Sequence, residues 1–339
     1  MTTRIRLVQS KRMAGAIRRK HRRNCLVIVL LCSVVFVNGG REMFFSDNKS
    51  VYSDTTICVY DTENDKLMQL DLEEYLVGVV AAEMPATFEL EALKAQAVAA
   101  RTFAVNRMLH PHANVTALHP DAHITTSPET CQAWIDEATQ KERWGSSYVQ
   151  WRHKIEHAVS ETAGEVLYYN GALIEPVYHA SCGGGYTEDA EAVWGSARPY
   201  LVSVACNHPA DSHSNEVTTI GLQEFSDKLQ LPDAVTVGAM TGNSPYMEVA
   251  HRTASGRIKE VRIGGVVYRG SALRSALGLK SLLLDWAIQD NAIVFTTNGY
   301  GHGVGMCQHG ANYYAEQGND YRRILCHYYS DAEVGTYLQ

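Results

Sequence analysis

The chain has 339 residues, 45% hydrophobic and 20% charged, with 26 Gly and 9 Pro, a composition that excludes collagen-like, low-complexity and wholly disordered classes. At roughly 150 residues per domain there is room for about two domains and a substantial core. The formal charge of −7 hides an asymmetry: residues 1–24 carry nine Lys or Arg and no acid, which leaves 21 bases against 37 acids, −16, in the remainder.

The basic head ends in Arg18-Arg19-Lys20-His21-Arg22-Arg23 and meets an apolar run from Cys25 to Val37. A positive flank before an apolar run is an export signal. As a helix the run covers about 20 Å, short of the roughly 30 Å hydrocarbon core, but no small-x-small cleavage site follows it. The reading is an uncleaved anchor over 25–40, a cytoplasmic head over 1–24, a polar stalk over 41–56, and an ectodomain over 57–339 outside the cytoplasm. That ectodomain is divisible into lobes of about 57–205 and 206–339. No nucleic-acid partner is expected. Of eight cysteines, Cys25 and Cys32 sit in the anchor and the other six contain no CxxC pair, so neither a dense disulfide framework nor a zinc ribbon is expected. Cys182 with Cys206 is the pair to test for a bridge.

In chain order, Ile57–Tyr60 and Lys66–Leu70 read as strands around the turn-rich Asp61–Asp65, and Asp71 is placed to cap a helix running to Glu83. Pro85 ends that helix, because the residue before proline avoids the α region. A second helix over 89–110 carries Leu93, Ala97, Ala100, Ala104 and Met108 at helical spacing. After a His-rich stretch, Trp144, Tyr148 and Trp151 recur with the same period. Glu165–Tyr169, Asn170-Gly171 and Ala172–Ser181 form a hairpin with a type I′ turn, broken by Cys182-Gly183-Gly184-Gly185. Residues 246–253, 257–263 and 266–268 read as a meander, 271–277 as a short helix, and 299–317 as a glycine-rich loop entering a helix. Segregated helices and antiparallel strands predict an α+β fold, with the helical segment packed on antiparallel sheet and a substrate cleft between lobes.

Glu83 stands out chemically. It is a carboxylate among Ala81, Ala82, Met84 and Pro85 in the last turn of a helix, where the macrodipole disfavours a second negative charge. Burial and dipole together would hold its proton near neutral pH, as a general acid requires. The alternative is a glutamate that reaches solvent past the helix end.

Residues 72–85, LEEYLVGVVAAEMP, with 91–102, EALKAQAVAART, closely resemble the SpoIID/LytB family, and Gly299–Gln308, GYGHGVGMCQ, is similar to its second signature. The resemblance spans about 57–339. It implies a peptidoglycan lytic transglycosylase of endospore-forming bacteria, acting during engulfment in the mother-cell membrane around the forespore, with the catalytic acid on Glu83. It also implies glycan strands stripped of stem peptides by the amidase SpoIIP, and a membrane complex with SpoIIM.

Denuded MurNAc bears a lactyl carboxylate, so cations are expected near the cleft. Lys94 and Arg101, two helical turns apart, are the candidates, the alternative being solvated charges on an exposed face. His179 and Ser181 share one face of a strand just before the glycines and are assigned to substrate contact. Gln308 and His302, in the loop with Gly305, are assigned likewise. Trp194, beside Gly195, is placed to stack on a sugar ring. Clostridial relatives bind zinc with two His and two Cys in the region of His119, His123 and Cys131. This chain has Thr125 and Thr130 where a Cys and a His would align, so no metal or other cofactor is expected. Two rival functions are a thiol peptidase using Cys182 with His179 or His302, and a glycan-binding amidase enhancer without catalysis.

Overall fold

The computed structural model describes residues 55–231 and 246–337. The expected head and anchor, and all but the end of the stalk, lie outside the described residues. Among the described residues no helix is long and apolar enough to cross a membrane.

Strands β1 (Thr56–Asp61) and β2 (Lys66–Asp71) pair antiparallel as expected, and the Asp71 carboxylate accepts the Glu73 and Glu74 amides to cap α1 (Leu72–Glu83). Helix α2 (Leu90–Leu109) follows the Pro85 break. Its Leu93, Ala97, Ala100 and Ala104 are fully buried. Small side chains let other elements close on this helix, chiefly α1, then α4 (Tyr148–Glu161), β4 (Glu165–Tyr169), α8 (Gln308–Glu316) and α9 (Tyr321–Tyr328). Strand β3 (Ile124–Thr125) joins β1 in parallel, and α3 (Glu137–Trp144) precedes α4.

The expected hairpin is shorter than the sequence pattern. Of the expected second strand only Ala172–Leu173 (β5) pairs with β4, and Pro176, which has no N–H to give a ladder, separates it from β6 (Tyr178–His179). Strand β6 pairs instead, in parallel, with β13 (Met306–Cys307), which brings the Gly-rich loop of residues 182–185 beside residues 299–308. Helix α5 (Ala190–Trp194) follows that loop.

A second core is built from β7 (Glu216–Gly221), α6 (Leu222–Leu229), the meander β8 (Met247–Arg252), β9 (Ile258–Ile263) and β10 (Val266–Arg269), α7 (Gly270–Leu277), and the hairpin β11 (Leu283–Gln289) and β12 (Ala292–Asn298). Its buried centre runs from Ile220 to Phe295, with Phe225 and Phe295 both fully buried. After Asn298 the chain returns to the first core through α8, α9 and β14 (Glu333–Thr336), which pairs with β4. The second lobe is therefore an insertion between residues 206 and 304, and the C-terminal third is not a lobe of its own. Helices with several small sheets make the fold α+β.

Candidate active site

Glu83 ends α1 and lines a cavity of about 300 Å³ with Pro85, Phe88, Arg143, Trp144, Tyr300 and Gln308. Its Oε1 accepts the Ala133 amide at 2.7 Å. Burial pushes the carboxyl up to about 7, against a smaller downward pull from the Ala133 amide and the Gln308 side chain. No second carboxylate lines this cavity among the described residues.

Beneath Glu83 runs a buried polar network. Tyr178 donates to Gln132 Oε1 at 2.8 Å, Gln132 Nε2 donates to the Tyr75 hydroxyl at 3.3 Å, and Gln308 Nε2 donates to Gln96 Oε1 at 3.2 Å. Gln96, Gln132 and Gln308 are all nearly inaccessible, so the network fixes the floor under the acid. Gly78 on α1 lets the segment carrying Ala133 approach: a Cβ there would lie 2.2 Å from Trp134 Nε1 and 2.8 Å from the Ile135 carbonyl oxygen. Gly78→Ala should cost about 1–3 kcal/mol and, by pulling the Ala133 amide off Glu83, raise that carboxyl further. Thermal unfolding and the alkaline limb of a pH profile measure the two effects separately.

The acid also leaves a signature in stability. With a folded pKa of about 7 against an ordinary 4.5, ionising Glu83 opposes folding as pH rises through that interval. Below it both states hold the proton and the penalty vanishes. In chemical denaturation Glu83→Gln should therefore match wild type in stability below about pH 4 and exceed it at pH 8, by at most about 3 kcal/mol.

The other expected site residues separate into four groups. Gln308 meets Glu83. His302 and Trp194, whose rings are 5.3 Å apart, line a larger cleft of about 680 Å³ between the lobes, together with Arg269, Arg274, Lys280 and Tyr300. Burial, with His179 and Arg274 close by, lowers His302 to about 3, so it is neutral at physiological pH. Tyr300 borders both cavities, with Lys280 Nζ 4.5 Å from its ring centroid. His179 and Ser181 lie behind this surface rather than on it: His179 donates through Nδ1 to the Val304 carbonyl at 3.1 Å, and Ser181 donates to Asp211 Oδ2 at 2.6 Å. At 4% and 2% exposure both are buried, with these hydrogen bonds tying their strand to the neighbouring loops.

Lys94 and Arg101 belong to neither cavity. They do share a face of α2, but that face packs on α4. Arg101, 1% exposed, forms a two-point pair with Glu73 at 2.6 and 2.8 Å and also donates to the Val159 and Glu165 carbonyls. Lys94 pairs with Glu91 at 2.7 Å and Glu161 at 2.6 Å. Both are structural cations, and the expectation that they hold substrate is corrected. The exposed cation beside Glu83 is Arg143, which periodicity gave no reason to select because it comes from an otherwise polar helix. Trp144, one of the aromatics at helical spacing, borders the cavity while its ring packs edge-on against Trp151 at 5.9 Å.

His119, His123 and Cys131 do not converge. His123 Nδ1 accepts the Cys58 amide, His119 Nδ1 accepts the Asp121 amide, and the Thr125 and Thr130 hydroxyls bond each other at 3.2 Å. Cys182 is fully buried, with its thiol facing Cys206, His208 and Cys307, so no peptide bond reaches it as a nucleophile would need.

The Glu83 cavity thus holds a single carboxyl that burial keeps protonated near neutral pH, and it meets the larger cleft between the lobes at Tyr300. The chain belongs to the SpoIID family of sporulation proteins. The family profile, described as stage II sporulation protein, matches residues 60–169, which include Glu83. The chain is 40% identical over 287 residues to stage II sporulation protein D of Bacillus amyloliquefaciens, covering 83% of this chain and 79% of that one. It is likewise 40% identical to the Bacillus subtilis protein of that name over 285 residues, with the same coverage. The Amidase enhancer of Bacillus subtilis is 28% identical over 312 residues, 77% of this chain but 40% of its own length.

Proposed function

We propose that the protein is a peptidoglycan lytic transglycosylase that cleaves the MurNAc–GlcNAc bond of denuded glycan strands and leaves 1,6-anhydro-MurNAc ends. The observation that carries this reading is Glu83, a half-buried carboxyl raised to about 7 and alone in its cavity. Protonated, it gives its hydrogen to the bridging oxygen as the anomeric carbon gains oxocarbenium character. The carboxylate left behind takes the proton from the same sugar's 6-hydroxyl, whose oxygen closes the anhydro ring. Ordinary glycosidases need a second carboxylate about 5–9.5 Å away to act as nucleophile or to activate water. Internal closure needs neither.

The strand lies across Tyr300 from the Glu83 cavity into the larger cleft. Trp144 and Trp194 offer ring faces to sugars, and Arg143, Arg274 and Lys280 offer charge to the lactyl carboxylates. Placement on a cell membrane through the basic head and apolar run, with peptide-stripped strands supplied by an amidase, completes the reading. Since activity requires the protonated acid, kcat/KM on denuded glycan should fall about tenfold per pH unit above pH 7. A flat profile from pH 6 to 9 would remove Glu83 from the acid role.

The name of the Amidase enhancer supports a second reading, in which the cleft binds glycan without cutting it. Glycan binding with no released fragments, unchanged by Glu83→Gln, would favour that reading.

A further inference from the structure

We propose that Cys182, Cys206, His208 and Cys307 form a structural zinc site that clamps the loop behind the cleft to the start of helix α8. The four ligand atoms lie within 4.8 Å of one another and all four residues are buried. His208 Nε2 is 3.3 Å from Cys182 Sγ and 3.5 Å from Cys307 Sγ. A tetrahedral ion with bonds of about 2.3 Å to sulfur and 2.0 Å to nitrogen sets its S···N edges near 3.5 Å.

The surroundings are those of a metal site. His208 Nδ1 donates to the Pro209 carbonyl at 2.8 Å, with Asp211 Oδ2 3.7 Å away, which directs the Nε2 lone pair at the thiols. Cys307 Sγ accepts the Cys182 amide at 3.2 Å and the Gly310 amide at 3.3 Å, and the Tyr328 hydroxyl meets Cys206 Sγ at 3.0 Å. Such hydrogen bonds suit thiolate sulfur carrying charge. A Cβ on Gly310 would sit 2.4 Å from Cys206 Sγ, so this helix position keeps space open beside the cluster.

Three thiolates and a dication leave one negative charge. Buried Arg257, donating to the Cys182 carbonyl at 2.8 Å, lies beside it as counter-charge. A divalent cation lets all three thiols ionise together.

The ligands come from three distant stretches: the residue after Ser181, the loop of residues 206–208, and the residue capping α8. The cap residue immediately precedes Gln308, the neighbour of Glu83, so the ion holds the acid's partner in place from behind without touching substrate. It is distinct from the region of His119, His123 and Cys131.

Metal analysis of the purified full chain, prepared without chelator, should find about one zinc per molecule. Cys307→Ser and Cys206→Ser should each lose it, while Cys131→Ser and Cys326→Ser should keep it. In the wild-type chain, cobalt(II) exchanged for zinc should show thiolate-to-cobalt charge transfer and the intense ligand-field bands of a tetrahedral centre. That readout stands even where a cysteine variant fails to fold. Absence of metal with three reactive thiols, a Cys182–Cys206 disulfide in a non-reducing peptide map, zinc retained by Cys307→Ser, or the weak bands of octahedral cobalt would each overturn the proposal.

Discussion

Glu83→Gln should abolish release of 1,6-anhydro fragments from denuded glycan, a loss of at least about 10²–10⁴-fold and larger if both proton transfers pass through the one side chain. The substitution keeps the shape of the group and an oxygen for the Ala133 amide at 2.7 Å. Folding and glycan binding should therefore survive, and only the ability to give and retake a proton is lost. Glu83→Asp retains the proton but withdraws it by one methylene from the position the Ala133 amide fixes, and should keep a small residual rate. Fragment release measured by mass spectrometry, beside glycan binding to the same preparations, separates loss of chemistry from loss of affinity. Binding lost in parallel with cleavage would mean that Glu83 holds substrate rather than reacting with it.

Arg101→Ala should be among the most destabilising single substitutions in the chain and yet leave the chemistry of folded molecules alone. The guanidinium is 1% exposed and satisfies Glu73 plus two backbone carbonyls at the junction of α1, α2 and α4. Removing it leaves the Glu73 carboxylate without its partner, and breaking such a buried pair costs about 3–5 kcal/mol. For a domain of this size that is a fall in Tm of roughly 10 °C. Arg101→Lys cannot reproduce the two-point geometry and should lose part of the same stability. A substrate-binding arginine would behave in the opposite way, with KM raised and Tm kept, so chemical denaturation paired with kinetics on the folded fraction decides between the roles.

The contrast between Glu83 and Arg101 shows what the sequence could convey. Glu83 was legible because a local pattern, a capped helix ended by proline with an acid in its last apolar turn, already contains the physics that raises its pKa. Arg101 was misread for the same locality. Seven-residue spacing places it and Lys94 on one helix face, but only tertiary packing says that the face meets α4 and not the cleft. The first three elements after residue 55 follow directly from capping and turn chemistry. Residues 216–231 and 283–298 carried no strong pattern, although the Asp290-Asn291 pair that turns β11 into β12, with φ of 45° and 60°, was a hairpin signal. The long strand expected over 172–181 failed at Pro176. The cavity around Glu83 collects residues from segments scattered between 81 and 309, and no single-stretch periodicity finds such a set. The same holds for Cys182, Cys206, His208 and Cys307, whose spacing hides a convergence made by the β6–β13 pairing.

The most direct test of a lone acid that closes the sugar on itself is digestion of denuded glycan in ¹⁸O-labelled water, followed by mass analysis of the new ends. Internal closure predicts ends lighter by one water than a hydrolytic product and free of ¹⁸O, formed by wild type and absent with Glu83→Gln. Reducing ends carrying the label would show that water attacks the anomeric carbon, and would contradict the account at its centre.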